Sequence, residues 1–129
     1  MASTDDTFAF ADRLMDVLER GDATAARAMY SPDARFWHNY DNAEQTVDEN
    51  LKLLEWMARK VPQRRYRVVR REPLSDGWFQ QHVLEATLPD GRSFQMFACC
   101  TIRVVDGKVT RIEEYLDPAQ AKILSEIKR

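Results

Sequence analysis

The sequence has little cysteine, little glycine and no long apolar run. Of its 129 residues, two are cysteines and four are glycines. Cys99 and Cys100 are adjacent, and neighbouring residues of a strand point to opposite faces, so a disulfide between them would be badly strained. Free thiols indicate a reducing compartment and predict a cytoplasmic protein. No apolar stretch approaches the roughly 20 residues of a membrane helix, and no signal peptide pattern is present, so no membrane partner is expected.

Neither sign of charge dominates the chain. It carries 19 Lys and Arg residues against 21 Asp and Glu residues, for a net charge of -2. The basic cluster at 64–71 is local, and a domain that is not basic overall predicts no nucleic-acid partner. With 44% hydrophobic and 31% charged residues, the sequence is typical of a globular protein, and residues 1–129 fit a single domain.

Helical patterns come first in the chain and strand patterns follow. Capping residues and apolar spacing predict helices from Ser3 to Gly21, from Asp22 to about Tyr30 and from Thr46 to about Arg59. Strands are predicted at 34–40, 65–73, 78–88, 93–105 and 108–116, and a last helix with Ile127 on its apolar face starts at Asp117-Pro118. This order predicts an α+β domain whose helices cover one face of a curved antiparallel sheet.

The last predicted hairpin offers two registers. A two-residue turn at Asp106-Gly107 would pair Ile102 with Arg111 and mix polar and apolar residues on both faces. A three-residue loop, with the glycine in the left-handed position of a bulge, pairs Ile102 with Ile112 instead. We favour the second register because it buries one consistent apolar face, and it aims Glu114 at the concave side.

A histidine shares a strand face with large aromatic residues in the first predicted strand. Alternation over 34–40 puts Phe36, His38 and Tyr40 on one face. Burying an unpartnered polar group costs roughly 1–3 kcal/mol. His38 therefore needs an internal partner, or it faces a cavity that holds something.

The second histidine and a glutamate fall on the apolar faces of two later strands. His82 shares its face with Trp78 and other apolar residues, and the favoured register places Glu114 beside Cys100. A buried imidazole near a carboxylate can be fixed in one tautomer or held protonated, as a general acid or base near neutral pH requires. We interpret His38, His82 and Glu114 as candidate catalytic residues.

Four motifs across the chain resemble a known family. They are Gly21-Asp22, Tyr30-Ser31-Pro32-Asp33-Ala34, Asp106-Gly107-Lys108-Val109 and Ile112-Glu113-Glu114-Tyr115-Leu116-Asp117. Together they resemble the SnoaL-like branch of the NTF2-like (ketosteroid isomerase-like) superfamily. The resemblance implies a cone in which a curved antiparallel sheet wraps around N-terminal helices, with a cavity at the open end and a short C-terminal helix. Many members are homodimers joined through the sheet.

The chain departs from the steroid isomerases at their catalytic positions. Their Asp base lies at the strand position of His38, their first-helix Tyr corresponds to Leu14, and their protonated Asp falls at or near Cys100. These departures argue against a steroid isomerase with that mechanism. In the dehydratase branch a cavity histidine at or near the position of His82 acts as the general base, and Tyr30 lies near positions that carry pocket residues.

The leading interpretation is an enzyme that transfers protons without a cofactor. It would dehydrate, isomerise or cyclise a small, mostly apolar molecule that bears a carbonyl or hydroxyl group. His82 would be the general base, His38 would donate to a developing oxyanion, and Glu114 would orient an imidazole or share its proton. The predicted pocket is lined by Tyr30, Phe36, Trp78, Met96, Cys100 and Leu14.

Two other interpretations stay open. In a non-catalytic small-molecule-binding or scaffold domain, the histidines would only hydrogen-bond the interior. In a metal site, His38, His82 and Glu114 would be the ligands, because two histidines and one carboxylate form the facial triad of some iron enzymes. The metal interpretation has no local motif to support it, and the leading interpretation expects no metal.

Aromatic residues outside the predicted core indicate an interface. Phe79, Phe97 and Tyr115 alternate outward on the last strands, and Trp37 and Trp56 lie off the buried faces. Exposed apolar patches of this kind usually mark contact surfaces. The sequence therefore predicts a homodimer formed through the sheet.

Overall fold

The computed structural model describes residues 3–126, which form helices, then a sheet, then one short helix. The helices are α1 (Thr4–Arg20), α2 (Ala23–Met29) and α3 (Val47–Lys60), and the strands are β1 (Tyr30–His38), β2 (Ala43–Gln45), β3 (Arg64–Leu74), β4 (Gly77–Thr87), β5 (Ser93–Val105) and β6 (Lys108–Leu116). A 3₁₀ helix at Pro118–Glu126 ends the described part. The predicted α+β fold, with a curved sheet wrapped around N-terminal helices, is confirmed.

Side-chain caps start each of the three α-helices where the sequence predicts. Ser3 and Asp22 accept hydrogen bonds from backbone N–H groups three residues later. Thr46 and Glu49 form a complete capping box. Gly21 ends α1 in the left-handed conformation, at φ 68°.

The six strands form one mixed sheet rather than the antiparallel sheet expected. The strand order is β2-β1-β6-β5-β4-β3, and β1 runs parallel to its neighbour β6. The other neighbouring strands are antiparallel. The parallel pair was not predictable from turns, because β2, α3 and three further strands lie between β1 and β6 in the chain. In this pair His38 lies directly beside Glu114.

The last hairpin confirms the favoured pairing of β5 with β6. Ile102 pairs with Ile112, and Cys100 pairs with Glu114. The expected three-residue loop is wrong, however, because Asp106-Gly107 forms a two-residue turn with φ of 51° and 75°. Positive φ at both central residues is the signature of a type I′ turn, which suits the twist of a hairpin.

A bulge beyond the turn supplies the extra residue. Val104 pairs with Val109, whereas Arg103 pairs with Arg111, so Thr110 has no partner on β5. The bulge shifts the alternation of β6 by one residue. The side chains after Thr110 therefore keep a consistent apolar face toward the core, although the turn is shorter than expected.

The core lies between the helices and the concave face of the sheet. Its larger cluster includes Leu14 of α1, Phe36 of β1 and Trp78 of β4, each at most 2% exposed. A smaller cluster, which includes Leu84 and Leu124, packs the 3₁₀ helix against the sheet. The helices are therefore buried against the same strand faces that carry the histidines.

Two details differ from the sequence-based expectations. β1 runs from Tyr30 to His38, whereas the predicted strand runs from 34 to 40, and the short strand β2 was not predicted. The predicted C-terminal helix is present as a 3₁₀ helix. Ile127, expected on the apolar face of that helix, lies outside the described residues. Within residues 3–126, no helix is both long and apolar enough to cross a membrane.

Deleting Thr110 should remove the bulge without changing which residues face the core. Arg111 would then follow Val109 directly, and the pairs Val104–Val109, Arg103–Arg111 and Ile102–Ile112 would form one regular ladder. We therefore expect the free energy of unfolding of the deletion variant, like that of Thr110→Ala, to stay within about 1 kcal/mol of the parent. Val109→Asp, which places a charge at a buried position, should lower it by at least about 3 kcal/mol. Urea unfolding followed by circular dichroism measures these changes, and a loss by the deletion as large as that of Val109→Asp would contradict this register.

Candidate active site

A cavity of about 300 Å³ lies between the helices and the concave face of the sheet. Most of its wall is apolar, with side chains from α1, α3, the strands and the 3₁₀ helix. Of the residues expected to line the pocket, Tyr30, Phe36, Met96 and Cys100 are at the wall. His38, His82 and Glu114 form the polar part of the same wall. The structure thus brings the three candidate catalytic residues to one cavity.

Strand alternation and sheet order bring the three side chains together. His38 ends β1, and the parallel register places it directly beside Glu114 of β6. His82 lies on β4, where it pairs with Ala98 of β5. Because the intervening β5 residues near Glu114 are the small Ala98 and Cys100, side chains from β4 and β6 can meet across β5.

Glu114 contacts both imidazoles through separate oxygens. His38 Nε2 lies 3.4 Å from Oε1, and His82 Nε2 lies 3.5 Å from Oε2. These contacts are longer than the usual hydrogen bond of about 2.9 Å. The histidine side chains are 9% and 5% exposed, and that of Glu114 is 23% exposed. The carboxylate therefore faces the cavity, and the imidazoles flank it.

The two histidines keep Glu114 ionised. Burial by itself would raise the pKa of this carboxyl group, but the N–H groups and charges of His38 and His82 outweigh burial and lower the pKa to about 2. Glu114 is therefore a carboxylate at physiological pH. A fixed negative charge beside two imidazoles stabilises an imidazolium when either ring takes up a proton.

A buried polar chain continues behind His82. The Gln80 side-chain nitrogen lies 3.0 Å from His82 Nδ1. Gln80 Oε1 accepts hydrogen bonds from Trp78 Nε1 at 3.2 Å and from Arg71 Nε at 3.1 Å. Arg71 in turn donates to Asp12 at the surface, at 2.7 Å. The chain therefore connects the cavity wall to the outside of the protein through Gln80, which is fully buried.

Two tyrosines add protonated phenols to the cavity wall. The Tyr66 ring packs edge-on against His82, with ring centroids 5.5 Å apart. Burial, and then the charge of Glu114, raise the pKa of Tyr66 well above its ordinary value. Burial likewise raises the pKa of Tyr30, whose hydroxyl donates to Asn50 Oδ1 at 3.3 Å. Both phenols keep their protons and can act as hydrogen-bond donors.

Two expected pocket residues are not at the wall. Leu14 and Trp78 are both 0% exposed and belong to the packed core. Strand alternation correctly points Trp78 inward, but α1 covers it, with the Phe10 and Trp78 ring centroids 6.1 Å apart. Leu14 is buried in the same way on the sheet-facing side of α1. Inward direction alone does not distinguish a core residue from a cavity residue.

Tyr66, Gln80 and Asn50 contribute to the site, although the sequence did not predict this. Gln80 carried a usable signal, because it lies two residues before His82 and therefore on the same strand face. Tyr66 was obscured by the basic residues on either side of it, which suggested a solvated strand. Asn50 lies on α3 and has no local pattern that points to the cavity.

Metal binding and the reactivity of the Cys100 thiol are two further properties of this site. Among residues 3–126, no group of three or more His, Cys, Asp or Glu side chains is arranged to hold a metal ion. His38 and His82 point their Nε2 atoms at different oxygens of Glu114 rather than at a common point. Burial, and then the charge of Glu114, raise the pKa of Cys100 well above its ordinary value, which makes its thiol a poor nucleophile.

Comparison with known proteins identifies one matching family and many similar folds. A family model described as a SnoaL-like domain matches residues 11–112. A comparison with curated proteins found no significant match. Many solved structures share the fold. AclR from Streptomyces galilaeus, a proposed hydroxylase, has 18% identity and a TM-score of 0.82, over 98% of this chain and 100% of that one.

Two further structures have names that mention polyketide cyclisation. IdmH from Streptomyces antibioticus, a proposed polyketide cyclase, has 17% identity and a TM-score of 0.79, over 94% of this chain and 99% of that one. A proposed SnoaL-like polyketide cyclase from Jannaschia sp. CCS1 has 14% identity and a TM-score of 0.77, over 100% of this chain and 99% of that one. At these identities the likeness establishes the NTF2-like fold.

Replacing Glu114 should change how stability depends on pH. A carboxyl group with a pKa of about 2 in the folded state and 4.5 ordinarily stabilises the fold fully above pH 4.5 and loses that effect as the pH falls toward 2. Glu114→Gln should therefore lower the free energy of unfolding by about 1–3 kcal/mol near pH 6, and the gap to the parent should narrow between pH 4.5 and 2. Urea unfolding over this range measures the gap, with Glu113→Gln on the outer face as control. A gap that stays constant with pH would contradict the lowered pKa.

Proposed function

Because the chain belongs to the SnoaL-like domain family, we propose that its cavity carries out cofactor-independent proton transfer on a small, mostly apolar molecule with a carbonyl or hydroxyl group. The observation that carries this proposal is the meeting of two imidazoles and one carboxylate at the wall of an apolar cavity. Dehydration, isomerisation and cyclisation are the reaction types that this group of residues supports.

The lining of the cavity supports the proposed substrate class. Apolar and aromatic side chains dominate the wall, so most of the substrate surface must be apolar. Two polar points interrupt it: one is formed by Glu114 with the histidines, and the other by Tyr30 with Asn50. A molecule with oxygen atoms at separate positions fits such a wall. The relatives named as polyketide cyclases agree with a substrate that contains several carbonyl groups.

The chemistry needs a base, a stabilised charge and a donor. An imidazole with a free nitrogen removes a proton from carbon next to a carbonyl group, and the adjacent Glu114 carboxylate stabilises the resulting imidazolium. Negative charge then develops on the substrate oxygen. The Tyr66 phenol, which keeps its proton, is a donor at the same wall and can stabilise that charge. These steps use side chains of this chain alone.

A non-catalytic binding domain is the second candidate. The observation that favours it is that Glu114 contacts an N–H group of each buried histidine, as a purely structural cluster would. In that case the cavity would bind an apolar molecule without changing it. The two candidates differ in whether the histidines exchange protons with a bound carbonyl compound.

We also propose a homodimer formed through the outer face of the sheet. Val69, Phe97 and Tyr115 are each more than half exposed on this face. They surround one shallow depression of the outer surface. Exposed aromatic and aliphatic groups this close together favour contact with another apolar surface. The family resemblance makes a second copy of this chain the expected partner.

Proton transfer can be tested with 2-tetralone, an apolar ketone whose α-hydrogens exchange with deuterium from the solvent. The protein should accelerate this exchange above the buffer rate, and Glu114→Gln should slow it by about 100-fold or more, since general acid–base groups contribute about 10²–10⁴-fold. Proton NMR of the ketone in deuterium oxide measures the rate.

Glu113→Gln is the matched control, because it makes the same chemical change one residue away on the outer face and should keep the parent rate. His38→Ala and His82→Ala test the imidazoles. Full retention of the parent rate by both histidine variants would refute catalysis by this site.

The dimer is testable by light scattering. The parent should have about twice the chain mass of 15.1 kDa, and Phe97→Glu should be monomeric because a charge is placed in the apolar patch. Val105→Glu changes another exposed apolar residue at the hairpin end of the same strand and should leave the dimer intact. A monomeric parent protein would exclude the proposed interface.

A further inference from the structure

We propose that Gln80 is a positioning residue that holds the proton of His82 on Nε2, so that His38 Nδ1 is the imidazole lone pair open to the cavity. This inference rests on the proposed proton-transfer function. It assigns different roles to two histidines that share one carboxylate.

The orientation of the Gln80 amide follows from its neighbours. Its side-chain oxygen lies 3.2 Å from Trp78 Nε1 and 3.1 Å from Arg71 Nε. Indole and guanidinium N–H groups only donate, so the atom between them must be the amide oxygen. Rotating the amide by half a turn would place its NH₂ group against both donors. The Gln80 nitrogen is therefore the atom that faces His82.

This orientation selects one form of His82. The Gln80 NH₂ group only donates, and it lies 3.0 Å from His82 Nδ1, so Nδ1 must be the acceptor. In a neutral imidazole the proton is then on Nε2, which faces the Glu114 carboxylate at 3.5 Å. Each nitrogen of His82 thus has a partner: Gln80 at Nδ1 and Glu114 at Nε2. Its lone pair is occupied by Gln80 and cannot take a proton from a substrate.

His38 contacts the same carboxylate but has no residue equivalent to Gln80. Its Nε2 lies 3.4 Å from Glu114 and must carry a proton, because a carboxylate only accepts. Among the described residues 3–126, Nδ1 of His38 has no hydrogen-bond partner, and it is not among the buried polar atoms that lack one. When the ring is neutral, Nδ1 therefore keeps a free lone pair, and the His38 side chain lines the cavity.

The two rings therefore differ in what they can do. His38 can accept a proton at Nδ1, and the resulting imidazolium is stabilised by Glu114 through Nε2. His82 donates from Nε2 to Glu114 and holds the carboxylate in place. This division reverses the expectation from sequence, in which His82 is the base and His38 the donor. The other titratable groups at this wall, Tyr30, Tyr40, Tyr66 and Cys100, have raised pKa values and stay neutral.

The protonation state of each ring can be read directly by NMR. Long-range ¹H–¹⁵N correlation spectra separate protonated from unprotonated imidazole nitrogens, and the chain has only two histidines, so His38→Ala assigns the spectrum. At slightly alkaline pH, His82 should carry its proton on Nε2 with Nδ1 unprotonated. A parent His82 that is protonated on Nδ1 would overturn the proposal.

Gln80→Glu tests whether Gln80 causes this state. One carboxylate oxygen keeps the bonds from Trp78 and Arg71, and the other now accepts from His82 Nδ1. His82 should gain a proton on Nδ1 because a carboxylate beside the ring favours the imidazolium. Gln81→Glu makes the same change on the outer face and should leave both rings as in the parent. Identical spectra for Gln80→Glu and Gln81→Glu would overturn the role of Gln80.

Exchange of 2-tetralone tests the division between the rings. His38→Ala should lose at least about 100-fold in rate, as expected for a general base, whereas His82→Ala should lose less than about 10-fold. The reverse order would overturn the assignment of His38 as the base. Absence of exchange by the parent protein would refute the proposed function, while the NMR spectra would still decide whether Gln80 sets the tautomer.

Discussion

The carboxylate of Glu114, shared by two imidazoles, is the interaction on which this site depends. A buried imidazole N–H group without an acceptor is costly, and so is a buried carboxylate without donors. Placing one carboxylate oxygen against each ring satisfies three polar groups at once. The same contacts lower the pKa of Glu114 to about 2, so the negative charge is constant over the pH range in which histidines titrate. The apolar cavity can then contain polar groups without losing stability.

Gln80 makes the arrangement asymmetric. A carboxylate presents two equivalent acceptors and does not distinguish His38 from His82. An amide presents an acceptor at one end and a donor at the other, and Trp78 with Arg71 determines which end faces the imidazole. The core therefore influences the chemistry of the cavity through hydrogen-bond direction. Trp78, which does not line the cavity, acts on the site through this contact.

The local parts of the fold were predictable from the sequence. The capping residues Ser3, Asp22 and Thr46 act on backbone groups three residues away, so their helix starts are correct. The parallel pairing of β1 with β6 was not predictable, because it joins segments more than 70 residues apart. The hairpin at Asp106-Gly107 was predictable in part. Apolar matching predicted the correct pairs, but the bulge lies at a position that no turn residue marks.

The sequence by itself determined the strand faces on which His38, His82 and Glu114 lie, because alternation with a period of two residues is a local property of the chain. The resemblance to a family added the cone-shaped fold, which the comparisons confirm. Only the tertiary structure decided that Leu14 and Trp78 are core residues, that one carboxylate contacts both histidines, and that His38 and His82 have different hydrogen-bond partners. These features depend on distances and donor directions between separate strands and helices, which the residue pattern of a single segment does not contain.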